Sequence, residues 1–257
     1  MPALNKWIDA TIKLVNSKGY LDSLLSVYPI TPNNERELPE GAENRIRELL
    51  KGKDNVELIN YLLTLEKFPI ATAYTSSLRY NGLIGKNPKT IDGIAGILKN
   101  MGAEKVIKGA KEPKIVSKQA GAMFLKWLAK QYSVVPLSEF ESITDRPVIL
   151  SGSDKRRKQY ANDNLNAELT EKGIDLLLKK GDDFVMGQAK FITAGGGGQD
   201  NQFYEALRFV NSTSGDAERV AILDGVVWFD NKFLERIKAS NKNIMSSLLL
   251  KTYVDGL

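Results

Sequence analysis

The sequence predicts an α/β fold: a mixed central sheet flanked by helices, preceded by a mostly helical N-terminal portion. Three observations carry this. Apolar residues recur with helical period through much of the first half of the chain. Short β-like runs, Pro147-Val148-Ile149-Leu150 and Val220-Ala221-Ile222-Leu223, stand apart with helical segments between them. Between those runs, residues 175–190 read as a strand, a tight turn at Lys180-Gly181-Asp182, and a second strand returning antiparallel.

Residues 3–18 carry Leu4, Trp7, Ile8, Ile12, Leu14 and Val15 at helical spacing. Pro29, Pro32 and Asn33-Asn34 mark a loop. Helices follow at 39–51, with Ile46, Leu49 and Leu50, and at 54–66, with Val56, Leu58, Ile59, Leu62 and Leu63. Asp54 caps the second and Pro69 stops it. Residues 71–81 are polar and aromatic and read as irregular, up to Asn81. A helix starts at Asn87-Pro88-Lys89-Thr90, turns Ile91, Ile94, Ile97 and Leu98 inward, and ends at Gly102.

A lysine-rich linker at 108–113 leads to a helix at 116–131 that buries Ala120, Phe124, Trp127 and Leu128. A second linker spans 136–145. The strand at 147–150 precedes a helix that begins at Arg156-Arg157 and runs to about residue 172, with Leu165 and Leu169 inward. After the hairpin, a helix at 200–212 buries Phe203, Leu207 and Val210. Residues 220–223 and 226–229 read as strands about an Asp224-Gly225 turn, and helices at 231–239 and 242–254 close the chain. The expected division is 1–145, mostly helical, DNA-contacting and packed on the rest, and 146–257.

Composition narrows the chemistry. The 257 residues contain no histidine and no cysteine, so Ser-His-Asp and Cys-His nucleophiles, His- or Cys-ligated zinc and disulfides are all excluded. Acid–base groups must come from Asp, Glu, Lys or Tyr, and a bound metal must be a hard, oxygen-ligated one. No apolar run is long enough to span a membrane and the start has no signal-peptide pattern, so a cytoplasmic protein is expected. The net charge is +5, and from Lys86 to Lys130 ten lysines face only Asp92, Glu104 and Glu112. Lys155-Arg156-Arg157-Lys158 is a second basic cluster. Such groups make phosphate contacts to nucleic acid; a solvated basic face has the same composition.

The hairpin gathers unlike groups. Folding it back brings Asp175 close to Gly187 and Gln188, and strand alternation puts Phe184, Met186, Gln188 and Lys190 on one face. Phosphodiester hydrolysis needs a divalent metal on oxygen ligands, an activated water and a positive group against the charge that builds on phosphate. Asp175 suits the metal, Lys190 suits the water and the phosphate, and Gln188 can offer a neutral carbonyl oxygen. An ordinary edge hairpin with a polar end carries the same residues.

Asp175 followed by Gln188-Ala189-Lys190 resembles the PD-(D/E)xK nuclease motif, with Gln where Glu is usual. The next segment, Phe191-Ile192-Thr193-Ala194-Gly195-Gly196-Gly197-Gly198-Gln199-Asp200, is similar to the one after that lysine in type II restriction endonucleases, as is Ser153-Asp154-Lys155-Arg156-Arg157 leading to Lys172-Gly173-Ile174-Asp175. The resemblance covers the last 110 residues or so. It implies a restriction-endonuclease-like core at 146–257, Mg²⁺ as cofactor, double-stranded DNA as partner and a homodimer, since palindromic sites call for two-fold symmetric readers. It also makes Asp175 and Gln188 the metal ligands and Lys190 the catalytic lysine. Nucleases of this fold place a further acid on the preceding helix. In this sequence that role falls to Glu168, which shares a face with Asn164 and Glu171 if the helix runs on.

Lys155, Arg156, Arg157 and Lys158, with Gln199 by the glycine run and Lys118 and Gln119 on the 116–131 helix, are the expected DNA contacts. Four glycines at 195–198 let a DNA backbone approach closely, or form a mobile loop; no Gly-Lys-Ser/Thr follows them, so they are not a phosphate-binding Walker loop. Gln188 stands either as a natural variant or as a Glu→Gln change that stops cleavage and keeps DNA binding. The expected function is therefore a type II restriction endonuclease. The alternatives are a catalytically silent DNA-binding protein on a nuclease fold and a repair or junction nuclease.

Overall fold

A computed structural model describes residues 3–30, 35–80, 82–113, 116–170, 173–213 and 215–257, with the backbone alone at 116–118. The expectations attached to Pro32, Asn33, Asn34, Asn81, Glu171, Lys172 and the Lys118 side chain lie outside the described residues. The chain forms two compact units, one from Met1–Ile30 and Val116–Leu257, the other from Thr31–Ile115. Residues 116–145 thus group with the sheet rather than with the helices before them.

The first unit begins with α1 (Lys6–Val15) and α2 (Tyr20–Leu24). Asn5 caps α1 by accepting a hydrogen bond from the Trp7 amide. The inserted unit is helical: α3 (Ala42–Lys51), α4 (Asn55–Thr64), α5 (Thr75–Leu78), α6 (Leu83–Lys86), α7 (Pro88–Met101) and α8 (Ala103–Ala110). Asp54 caps α4 by accepting from the Glu57 amide, as its sequence position implies. The core of this unit joins Ile46, Leu58, Ile59, Leu62, Ile94 and Leu98 with Val106 and Ile107.

Two expectations change here. Ile97 is 53% exposed, because α7 turns Ile91, Ile94, Ala95 and Leu98 inward and leaves position 97 off that stripe. The lysine-rich stretch read as a linker at 108–113 begins inside α8, which runs to Ala110 and buries Val106, Ile107 and Ala110 at i, i+1 and i+4; residues 111–113 lie beyond the helix. Gly109 makes that packing possible: a Cβ there would sit 2.2 Å from the Pro69 carbonyl oxygen.

Beyond the insert come α9 (Val116–Gln131), β1 (Ser133–Val135), α10 (Leu137–Phe140), β2 (Val148–Leu150), α11 (Asp154–Asn164), β3 (Leu176–Lys180), β4 (Asp183–Ile192), α12 (Gly197–Asn211), β5 (Glu218–Gly225), α13 (Asn231–Ser240), β6 (Ile244–Met245) and α14 (Leu250–Asp255). The strands form one mixed sheet in the order β1-β2-β3-β4-β5-β6. β3 is antiparallel to both β2 and β4, while β1–β2, β4–β5 and β5–β6 run parallel. One face packs Leu177, Met186, Ala221 and Leu223 with Phe203, Ala206 and Phe233. The other packs Leu176, Leu178, Val185, Val220 and Ile222 with Phe124, Leu128 and Tyr253. The α/β expectation therefore holds, with helices on both faces.

Three boundaries differ. The helix expected to reach residue 172 ends at Asn164. Its last turn is rich in Asn and Asp, whose side chains compete for backbone groups. Asn164 donates to the Tyr160 carbonyl, and Asn162 bonds both the amide and the carbonyl of Leu169. Asn166 and Glu168 then take positive φ of 49° and 50°. The Asp224-Gly225 hairpin is absent: β5 runs on to Gly225 in parallel with β4, and a 3-10 turn at Val226–Trp228 follows. A Cβ at Gly225 would meet the Ile192 carbonyl oxygen at 2.2 Å, so close strand approach, not a hairpin turn, explains this glycine. The segment read as a helix at 242–254 splits into β6, a 3-10 turn at Ser247–Leu249 and α14.

Candidate active site

The strand directions gather one edge of the sheet. The carboxyl ends of β2, β4 and β5 and the amino end of β3 lie there together. Asp175 stands just before β3 on that edge. Its amide donates to the Gly187 carbonyl at 2.9 Å, one residue out of the register that β3 and β4 keep from Leu176 onward. The slip leaves the Ala189 amide to the Asp175 side chain, and Oδ2 accepts it at 2.9 Å. Lys190 Nζ lies 3.5 Å from the same oxygen. No hydrogen bond reaches Asp175 Oδ1 among the described residues, and about a third of the side chain is open to solvent.

β4 stays in regular register with β5 from Val185 to Ile192, so Gln188 and Lys190 keep one face of the strand. Gln188 is 4% exposed, and its Oε1 is buried without a hydrogen-bond partner. A carbonyl oxygen left this way costs free energy, on the order of 1–3 kcal/mol. Asp175, Lys190 and Gln188 are thus on neighbouring positions of one sheet edge, as the hairpin reading requires.

Arg157 belongs under this edge. It was expected among the DNA contacts, but it is 5% exposed, and its guanidinium is committed to main-chain carbonyls. Nε donates to Ile174 O at 3.1 Å and Nη1 to Gly152 O at 2.7 Å. One side chain therefore ties the end of β2 to the residue before Asp175. Burial lowers its pKa; the charges of Asp175 and then Asp154 oppose that shift. Asp154 comes close for another reason: a Cβ on Gly173 would fall 2.7 Å from the Asp154 Cβ. The sequence signal for Arg157 was its place three and four residues before Tyr160 and Ala161, which are also buried.

The remaining expected residues fall differently. Lys155 and Arg156 are exposed in the first turn of α11, where Ser153 caps the helix by accepting from the Arg156 amide. Lys158 is half-buried and donates to the Thr170 carbonyl at 3.0 Å. Gln119 is half-buried on α9. Gln199 folds back to accept from the Thr193 amide at 3.2 Å. Glu168 is not on a helix at all: α11 has ended, and Glu168 sits exposed in the loop beyond it. The spacing that set Glu168 beside Asn164 has no helix to act through.

The glycine-rich segment leaves β4 at the same edge. Gly196 and Gly197 have φ of +106° and +53°, and a Cβ on Gly196, Gly197 or Gly198 would meet nothing within 4 Å. Backbone conformation requires the first two; open space surrounds all three. Asp200 accepts from the Gly196 amide and pairs with Lys232, which together hold its carboxyl below the usual range.

A second aspartate, expected in a turn, has a different setting. Asp224 is fully buried at the end of β5, beside Phe191. It accepts hydrogen bonds from the Ser246 hydroxyl at 2.6 Å, Tyr28 at 3.0 Å, the Ser247 amide at 3.2 Å and Tyr20 at 3.4 Å. Burial raises its pKa, and the bonds from Ser246, Ser247 and Tyr28 pull it back. The same surroundings push the Tyr20 and Tyr28 hydroxyls well up.

Among the described residues no group of three or more His, Cys, Asp or Glu side chains could enclose a metal ion, and no helix is long and apolar enough to cross a membrane. The donors at the β3–β4 edge are oxygens: a carboxylate with one atom free, and an amide oxygen with no partner. That set fits a hard divalent cation carrying several waters. A family model, Tsp45I type II restriction enzyme, matches residues 5–257. No curated protein and no solved structure matches.

Proposed function

The chain belongs to the Tsp45I type II restriction enzyme family and is a site-specific deoxyribonuclease, and we propose that its cleavage centre is the sheet edge of Asp175, Gln188 and Lys190 with Mg²⁺ as the divalent metal. The observation that carries this is the unpartnered, buried Gln188 Oε1 next in sequence to the residues that meet Asp175. An apolar edge hairpin gains nothing from such an atom, whereas a metal ligand needs it.

Asp175 contributes the single negative charge and a free oxygen; Gln188 contributes a neutral oxygen. Bound to them, Mg²⁺ supplies Lewis-acid polarisation of the phosphate and a lower pKa for water. The chain's own residues do the rest. Lys190, held by Asp175, offsets charge on the phosphate and orients the water that attacks phosphorus as the P–O bond to the leaving nucleoside breaks. Arg157 fixes the carbonyl before Asp175 and so fixes where the carboxylate sits. Lys155 and Arg156 are free to meet phosphates at the same edge. Double-stranded DNA is then read by a homodimer, matching a palindromic site with two-fold symmetry.

In this reading Gln188 is a working natural ligand. The test is cleavage of a long, sequence-diverse DNA with Mg²⁺ or chelator by the chain, by Asp175→Asn and by Lys190→Ala. Discrete fragments from the parent alone, and only with metal, are expected. Undiminished cutting by either variant would remove this edge from the chemistry.

A further inference from the structure

Many cations of the inserted helical unit are held in ion pairs, although Lys51, Lys53, Lys105 and Lys108 have no carboxylate partner among the described residues. Arg36 pairs with Glu66, Arg45 with Glu48 and Glu57, Arg47 with Glu43 and Glu104, Lys67 with Glu112, and Lys111 with Glu43. Lys99 is spent on the Gly52 carbonyl and Asn55. The segment from α5 to the start of α7 is the opposite case. No acidic residue occurs between Glu66 and Asp92. Arg79, Lys86 and Lys89 are exposed there, and none has a carboxylate partner among the described residues. Among the described residues the side-chain bond in this group is a long one, 3.4 Å, from Arg79 to the Leu65 carbonyl.

Aromatic side chains stand among these charges. Tyr80 is 72% exposed and Tyr74 is 57% exposed, the same order of exposure as Ile97 on α7 of this unit. Thr72 fixes the turn by accepting from the Tyr74 and Thr75 amides. Arg79 and Tyr80, with Asn60 and Thr64, line an open hollow of about 340 Å³. Tyrosine and arginine also occur at protein interfaces, but cations of one sign with no acidic residue among them lack the charge-depleted apolar centre of such an interface. They match a duplex, whose phosphates take the cations and whose sugars and base edges take the rings and hydroxyls.

We propose that the face carrying Tyr74, Arg79, Tyr80, Lys86 and Lys89 is a DNA-contact surface of the inserted unit, with the cations on phosphates and the tyrosines against sugar or base edges. This rests on the chain acting on DNA; it does not depend on which residues cut.

The experiment measures binding of the full chain to a duplex that it cleaves, without divalent metal, across a salt series. Three chains are compared with the parent: Arg79→Ala/Lys86→Ala/Lys89→Ala, Tyr74→Ala/Tyr80→Ala, and Arg45→Ala as a paired-cation control. Each phosphate contact adds roughly 0.9 to the slope of log affinity against log salt. The triple variant should lose about 2–3 from that slope and at least about tenfold in affinity at moderate salt. The tyrosine pair should lose affinity with the slope kept, and Arg45→Ala should match the parent. Circular dichroism and the melting temperature establish that each variant is folded. A folded triple variant with parental affinity and slope overturns the proposal. So does a change in oligomeric state with DNA binding intact, which would make the face a protein interface. Failure of the Asp175 site shows separately, as an Asp175→Asn chain that binds through this face and still cuts.

Discussion

Two aspartates at one edge of one sheet have opposite fates. Asp175, before β3, keeps a free oxygen, partial solvent access and a lysine at 3.5 Å. Asp224, at the end of β5, is sealed and surrounded by donors from Tyr20, Tyr28, Ser246 and Ser247. The difference lies in what packs over each. The segment around α2 and the turn after β6 bring hydroxyls onto Asp224, so its carboxylate bonds distant pieces of chain together. Nothing comparable covers Asp175 among the described residues. Its neighbours are a slipped ladder, an amide oxygen without a partner and an arginine that spends itself on carbonyls. A carboxylate with its bonding filled is structural; one with bonding to spare is available to a metal and a substrate.

The largest effect that would break this comparison is on Asp175. Asp175→Asn should lower cleavage by at least about 10³-fold, the scale of losing a central electrostatic group. Its free energy of unfolding should stay within roughly 0.5 kcal/mol of the parent, as for a substitution outside the core. A large loss of stability with activity per folded molecule preserved would make Asp175 another Asp224.

Asp224→Ala should do the reverse. It strands several buried donors and should cost about 3 kcal/mol of stability, read by denaturant unfolding, with the cleavage rate of the folded fraction unchanged. The raised pKa of Asp224 adds a pH signature. A carboxyl raised on folding contributes stability that is fully present below its unfolded pKa and lost as pH rises through the folded value. Asp224→Asn cannot ionise, so its stability relative to the parent should improve as pH rises above the ordinary carboxylate range. A flat difference across that range and up to neutral pH would contradict the assignment.

Arg157→Lys sharpens the middle ground. An ammonium cannot fork to both Gly152 and Ile174, so Asp175 loses part of its seat. Cleavage at saturating DNA should fall about 10–100-fold, the scale of small misplacements at a reacting centre. The salt slope of DNA binding should not move, because the guanidinium is buried. A reduced slope would return Arg157 to the DNA contacts.

Much of this edge was legible in the sequence, because strand alternation and a tight turn place Asp175, Gln188 and Lys190 with few assumptions. Asp54 as a cap and the inward stripe of α9 were equally plain, being local patterns. What stayed hidden depended on distant partners. Arg157 looked like half of an exposed arginine pair until Gly152 and Ile174 closed on it. Asp224-Gly225 has the composition of a hairpin turn, and only the approach of Ile192 shows why glycine stands there. The end of α11 was obscured because Leu165 and Leu169 continue a helical spacing that the Asn-rich turn overrides. β1 and β6 are too short to carry a period, and exist because longer strands offer them an edge.

The most direct measurement is the melting temperature of the chain and of Gln188→Glu, each with and without Mg²⁺, alongside cleavage at each metal concentration. Without metal, a second carboxylate buried by Asp175 should destabilise the variant. With Mg²⁺, the variant should gain more in melting temperature than the parent and reach half-maximal cleavage at lower metal, while the parent still cuts. A variant that Mg²⁺ neither restabilises nor activates would contradict a metal site at Gln188 and Asp175.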